Sequence, residues 1–542
     1  MNRSGFCCAH ARPQQHLHNR LGRLFAAGYM CLLGVTAMAD ASANEAQKPT
    51  PNKPNIVIIL ADDLGFGDVS YYNEHIVNQK AHVQTPAIDE LANRGMWFTD
   101  AHSPTSLCSP SRYAIMTGNY TYRSRQPWGV WGSFNPPVIT AEDATLGRVA
   151  KAAGYRTGFI GKWHLGGNFQ RADSDKIFRV SPQNGITENS DLTSIVKLKN
   201  WASGNPRTAG YDYDFTLPTG VQGPVYLAYE NSTWYPLTPK SNIIHLNEKS
   251  VQDAVFLSDK GPGVGDSAWN PADIYELLAD KAATFITQSA KESKPFLLTY
   301  WTPAVHLPHT PPAEIDGQKI RGTTPSYHLD QVRVLDYEVK TIVAALKASG
   351  QLDNTLIIFT SDNGGLKDSK AAAVGHSSPG QLRGAKALSW EGGHRVPFIV
   401  FWPGKVKPAS INNNLINGTD IVATIADALG QSLNDKQAVD SMSFLSQIDS
   451  SAPKNTVRQS TYLQSSGARA EVIYRKGEWK LIMATNRGFT KFTPVELYNL
   501  EKNPLELSEQ NLVNQPQYHE LCTRLLHEYM AQHTSGKRTR DL

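Results

Sequence analysis

The sequence predicts an α/β sandwich, a largely parallel sheet covered by helices, followed by a smaller C-terminal α+β domain with a short antiparallel sheet. Three observations carry this. Four short runs are apolar on both faces, helical 3–4 spacings lie between them, and near residue 430 the pattern turns to short strand-like segments. Strands apolar at every position suit a sheet buried on both faces. Their alternation with helices implies parallel crossover units.

The elements follow in order. Residues 1–23 are polar and basic, Leu24–Val35 is apolar, and Ala37-Met38-Ala39 offers small residues for cleavage. This is the three-part pattern of a secretory signal, and the apolar run is shorter than the ~20 residues a membrane span needs. An exported, periplasmic or secreted protein without stable membrane insertion is expected. Residues 40–53 read as a linker. A catalytic domain is expected over 54–430, starting with IVIIL at Ile56–Leu60. Further apolar runs are Phe296–Trp301, Leu356–Thr360 and Pro397–Trp402. Helices are expected at Ala87–Asn93, at Leu146–Ala153 before Gly154, after Pro271 at a first helical position, and over Val332–Leu346. Residues 168–270, rich in Gly, Pro, Asn and aromatics, read as long insertions around a site. In residues 431–535, Thr461–Leu463, Glu471–Arg475, Trp479–Met483 and Val495–Tyr498 read as antiparallel strands and Pro516–Gln532 as a helix. Residues 536–542 read as a tail.

Composition narrows the function. With 40% hydrophobic and 19% charged residues in 542, the chain is globular rather than disordered or fibrous. The net charge is +4, but four arginines lie before Ala39. The remainder carries 49 basic and 49 acidic residues, so no nucleic-acid or membrane-surface partner is implied. Of five cysteines, only Cys108 and Cys522 lie beyond the signal. Two cysteines do not make a disulfide scaffold, although sequence alone leaves a bridge between them open.

The chemistry-bearing residues fall at the expected strand ends, where α/β sheets bind ligands. Asp62-Asp63 follows the first strand and Asp362-Asn363 the third. Between them stands Cys108-Ser109-Pro110-Ser111-Arg112. The five-residue motif resembles the maturation signature of the formylglycine-dependent (type I) sulfatases. The resemblance runs over residues 54–510 through NIVIILADDLGFG (55–67), GKWHLGG (161–167), His306-Leu307-Pro308, TSDNG (360–364), RGAKALSWEGGHRVP (383–397) and ELYNLEKNPLELSEQN (496–511), in that family's order. The implied fold is that of the alkaline-phosphatase superfamily.

The resemblance implies specific roles. A separate maturation enzyme would oxidise Cys108 to formylglycine, whose hydrate has one hydroxyl to attack sulfur and another to expel sulfate by collapse, a covalent mechanism with a built-in release. Asp62, Asp63, Asp362, Asn363 and an oxygen from residue 108 would form a hard, all-oxygen site suited to Ca²⁺, and less well to Mg²⁺. Arg112 would hold the nucleophile and the metal-site carboxylates. Lys162 and Lys386 would hold sulfate oxygens. His164 would accept a proton from the diol, and His306 would serve the leaving oxygen, with Lys386. His309, His376 and His394 receive no role. Glu391-Gly392-Gly393 reads as a turn, and Arg383 and Arg395 as structural ion pairs.

The expected substrate is a sulfated poly- or oligosaccharide. Trp128, Trp131, Phe134, Tyr226, Tyr229, Trp234 and Tyr235 either stack on sugar rings or pack the insertions onto the domain, and the sequence leaves both readings standing. Two alternative functions are a phosphate- or phosphonate-monoester hydrolase of the same superfamily and an unmatured sulfated-glycan-binding protein.

Overall fold

A computed structural model describes residues 53–535, except 78, 252, 253, 466 and 468. The expected signal segment 1–39, residues 40–52 of the linker and the 536–542 tail lie outside the described residues. Ten strands make the main sheet: β1 (Asn55–Ala61), β2 (Met96–Phe98), β3 (Arg156–Lys162), β4 (Tyr213–Leu217), β5 (Ala228–Glu230), β6 (Thr233–Tyr235), β7 (Phe296–Trp301), β8 (Thr355–Ser361), β9 (Phe398–Phe401) and β10 (Ser410–Asn412). Their spatial order is β10-β2-β9-β8-β1-β7-β3-β4-β5-β6. The five central strands, β8, β1, β7, β3 and β4, run parallel.

Side-chain alternation explains why β1 is apolar throughout. Ile56, Ile58 and Leu60 enter a core on one face of the sheet, and Val57, Ile59 and Ala61 enter a second core on the other. The first core takes residues of helices α2 (Cys108–Thr117), α3 (Leu146–Ala152) and α6 (Asp420–Ala428). The second takes residues of α1 (Pro86–Arg94), α4 (Pro271–Ser289) and α5 (Tyr327–Ala348). Helix starts follow capping chemistry: Asn270 accepts the Ala272 amide ahead of Pro271, and Ser326 accepts that of Leu329.

Two expectations need correcting. The PFIVFW run was expected among the parallel strands, yet β9 lies antiparallel to both β8 and β2. A doubly apolar run reports burial on both faces, which β9 has, and says nothing of direction. Residues 168–270 are more than insertions around a site, because they supply β4, β5 and β6 to the main sheet. The short lengths of β5 and β6, three residues each, hid them from pattern reading.

A second sheet is formed by β11 (Ser460–Gln464), β12 (Glu471–Lys476), β13 (Trp479–Thr485) and β14 (Phe492–Asn499), all antiparallel, and α7 (His519–Ser535) packs on it. This sheet reaches the candidate site. The Ser106 amide donates to the Gln464 carbonyl at 3.1 Å, and Ser106 Oγ donates to the Ser465 carbonyl at 3.1 Å. The loop that delivers Cys108 is therefore anchored by the edge of the small sheet.

Candidate active site

The carboxyl ends of the parallel strands deliver the site. Asp62-Asp63 continues β1, Asp362-Asn363 continues β8, Lys162 ends β3, and His306 follows β7. Cys108 opens α2, at the positive end of a ten-residue helix. Two backbone features fix the side chains. Asp63 and His164 hold left-handed conformations, with φ of 66° and 57°, which cost energy outside glycine. A side chain at Gly364 would meet the Gly392 carbonyl oxygen at 2.1 Å, so only glycine lets the 391–394 segment close over the β8 end.

Every residue expected at the site is brought there. Arg112 donates from Nε to Asp362 Oδ2 at 2.9 Å and from Nη1 to the Lys162 carbonyl at 2.9 Å, and its Nη2 lies 3.2 Å from Asp62 Oδ2. Lys162 Nζ reaches Asp62 Oδ2 at 2.6 Å, and Lys386 Nζ reaches Asp63 Oδ2 at 2.8 Å. His306 Nε2 lies 3.6 Å from Asp63 Oδ2. Its Nδ1 pairs with the Leu307 carbonyl, which accepts, so Nδ1 carries the proton and Nε2 faces the site. The acids, Arg112, Lys162 and Asn363 are fully buried.

The electrostatics are uneven. Burial alone would raise Asp62, yet Lys162 and Arg112 hold it well below the usual carboxylate range. Burial and the Asp62 charge push Asp362 well above it despite Arg112. Asp62 thus carries the charge of that pair. Burial also disfavours a Cys108 thiolate, but Lys386, Lys162 and hydrogen bonds with His164 and His306 outweigh it and pull the thiol well down. The position stabilises negative charge. Burial, helped by Lys162, lowers His164 to about 4, so it is neutral near pH 7 and able to take a proton.

The donor set fits a hard divalent cation. Ligand oxygens of Asp62, Asp63 and Asp362 lie within 4.8 Å of one another. Asp62 Oδ1 and Asn363 Oδ1 are buried with no hydrogen-bond partner among the described residues. Orphaned acceptors beside crowded carboxylates are what a cation would satisfy.

A cavity of about 340 Å³ opens over Cys108, with His164, His306 and Lys386 in its wall. Among the described residues, no Trp, Tyr or Phe lines it. The aromatics of the insertions serve packing: Trp131, Phe134, Tyr226 and Tyr229 are buried in the two cores, Trp234 and Tyr235 pack against them, and Trp128 lies against Phe489. Cys108 and Cys522 are both free thiols, which closes the question of a bridge. Glu391-Gly392-Gly393 forms a helical turn with His394, and the Glu391 carboxylate pairs with buried Lys480 at 2.9 Å. Arg395 pairs with Glu391 at 3.6 Å, and Arg383 stacks over Trp390 at 3.8 Å. His376 lies with His328 on Asp68, each at 2.8 Å. His309 lies tilted against His328, ring centroids 5.1 Å apart, and His394 meets His102 Nδ1 to Nδ1 at 2.9 Å. Sequence reasoning missed Glu188 and Gln222 in the cavity wall. They stand alone in loops, with no motif to mark them.

The sulfatase family profile matches residues 54–431, and the profile of the N-sulphoglucosamine sulphohydrolase C-terminal region matches 385–535. The chain belongs to the sulfatase family. This sulfatase is 31% identical over 479 residues to the N-acetylgalactosamine-6-O-sulfatase of Bacteroides thetaiotaomicron, covering 82% of this chain and 86% of that one. It is 30% identical over 419 residues to rat steryl-sulfatase, covering 73% and 70%. Among solved structures it resembles a Bacteroides thetaiotaomicron protein described in work on the metabolism of multiple glycosaminoglycans, with a TM-score of 0.71 and 28% identity, covering 89% of this chain and all of the other. The mixed sheet and the small antiparallel sheet of the sulfatase agree with that likeness. The protein is a sulfuric ester hydrolase.

Proposed function

We propose that this sulfatase is exported, is matured at Cys108 to formylglycine by a separate enzyme, binds Ca²⁺ and removes sulfate from a sulfated poly- or oligosaccharide. The single supporting observation is the convergence on Cys108 of two lysines, two histidines and an acidic cluster with two orphaned oxygens. Asp62, Asp63, Asp362 and Asn363 would hold the cation, which would polarise a sulfate oxygen and lower the pKa of the attacking hydroxyl. Formylglycine, in its hydrated form, supplies that hydroxyl.

The chain's own residues do the rest. Lys162 and Lys386 turn from their carboxylates to the sulfate oxygens, where charge develops. Arg112 keeps Asp62 and Asp362 in place through a rigid fork that lysine lacks. His164, neutral because buried beside Lys162, accepts a proton during sulfate release. His306, with Nδ1 tied to its neighbour's carbonyl and Nε2 3.6 Å from Asp63 Oδ2, offers Nε2 to the leaving oxygen. The carbohydrate reading rests on the relatives, one an N-acetylgalactosamine-6-O-sulfatase, and on the expected export.

Protein made in its native host is the test. Its Cys108 peptide should show the thiol and one hydrogen replaced by a carbonyl oxygen, and the protein should desulfate N-acetylgalactosamine 6-sulfate or another member of a panel of sulfated hexoses. An intact thiol in fully active protein would refute the assigned nucleophile.

A further inference from the structure

Two polar side chains in the cavity wall have no place in sulfate capture. Gln222 is 2% exposed and lines the cavity over Cys108, and its Oε1 is buried with no hydrogen-bond partner among the described residues. A Cβ built on Gly220 would lie 2.5 Å from that oxygen and 3.0 Å from Lys162 Cδ. The amide therefore stands beside the stem of a lysine assigned to sulfate. Glu188 lines the same cavity. Its carboxylate presses on Gly132, where a Cβ would come within 2.1 Å of Oε1, and Oε1 accepts the Phe134 amide at a long 3.4 Å.

An amide oxygen buried without a partner is costly. On the wall of a substrate cavity, the cost is recovered when the substrate brings the missing donor. With no Trp, Tyr or Phe among the described residues of this wall, a ring bound here is held through hydrogen bonds rather than stacking. The cavity is thus two-sided. Lys386 and His306 present charge and donors to the sulfate, while Gln222 and Glu188 present acceptors.

We propose that Gln222 and Glu188 form a subsite that reads the sulfated sugar ring through its own hydrogen-bond donors, a hydroxyl or an acetamido N–H, an inference that rests on the carbohydrate reading above. The substrate's recognition then extends past the ester to the ring that carries it. An aryl sulfate with no ring hydroxyl or amide draws nothing from the pair.

The test compares matured wild type with Gln222→Met and Glu188→Gln, both close in shape to the native side chains. The substrates are N-acetylgalactosamine 6-sulfate and 4-nitrophenyl sulfate, whose ring carries neither a hydroxyl nor an amide. On the sugar, kcat/KM should fall about tenfold in each variant, while on the aryl ester it should stay within about twofold. Equal losses on both substrates mean a structural role and overturn the subsite, as does unchanged turnover of the sugar. Wild type that cleaves the aryl ester but no sugar in a panel of sulfated hexoses and hexosamines overturns the carbohydrate reading itself, and the subsite with it. That outcome is seen before any variant is made.

Discussion

Two groups of buried acids and bases in this chain are put together differently. Around Asp420 and Asp440, each acid has its own arginine. Arg458 Nε donates to Asp420 Oδ2 at 2.8 Å, and Arg123 grips Asp440 through Nε and Nη2 at 2.7 and 2.8 Å. The Asp420 oxygens also accept the Asn417 and Met442 amides at 2.9 and 2.8 Å. At the strand ends, three acids crowd together instead. Asp62 and Asp362 share Arg112, and two acceptors are left orphaned. The first group is saturated, the second is frustrated. Buried ion pairs are by themselves weak evidence of function, but unmet polar groups among crowded like charges point to something that binds.

If the contrast is right, substitutions in the two groups should fail in different ways. The largest effect belongs to the frustrated site: Cys108→Ala should lower turnover of any sulfate ester by about 10⁴-fold or more while the melting temperature holds. Retained turnover would break the assignment. Asp362→Asn should come next, losing the bound metal in elemental analysis and about 100-fold or more in kcat. The metal-free variant should melt no lower than metal-free wild type, because burial and Asp62 already disfavour the Asp362 charge. A metal-free variant that melted well below wild type would place Asp362 in the structural class.

Asp420→Asn should do the reverse. Leaving Arg458 buried without its partner should cost about 3–5 kcal/mol in denaturant unfolding, with kcat per folded molecule unchanged. The smallest effect is in pH dependence. His164 stays unprotonated down to about 4, so the acid limb of kcat should fall near there rather than near 6.5, and His164→Gln should abolish that limb. The stability sign follows. Below about 6.5 the unfolded chain takes up this proton before the folded one does, so stability is lost as pH falls from about 6.5 to 4. A limb near 6.5 would mean that His164 is not the group that accepts the proton.

Much of the site was legible because its residues sit where strands stop. Asp62-Asp63 and Asp362-Asn363 each end an apolar run, and parallel strands bring their ends to one edge. The motif around Cys108 marked the residue proposed as the nucleophile. The C-terminal strands were legible from short apolar segments split by turns. The direction of β9 was not, since its burial pattern is the same either way. Within 168–270, β5 and β6 were too short to show a period. Glu188 and Gln222 carried no signal, for a single polar residue in a loop looks like any solvated one.

The sequence by itself determined the alternation of apolar strands and helices, the acids at the strand ends and the cysteine motif, because these are local patterns read within a few residues. Only the tertiary structure decided which acids share an arginine, which oxygens are left without partners, and that the insertion's aromatics face the cores instead of the cavity. Those facts depend on contacts between residues up to hundreds of positions apart, such as Asp63 with Lys386, and on burial, which strengthens each charge and makes each unpaired atom costly.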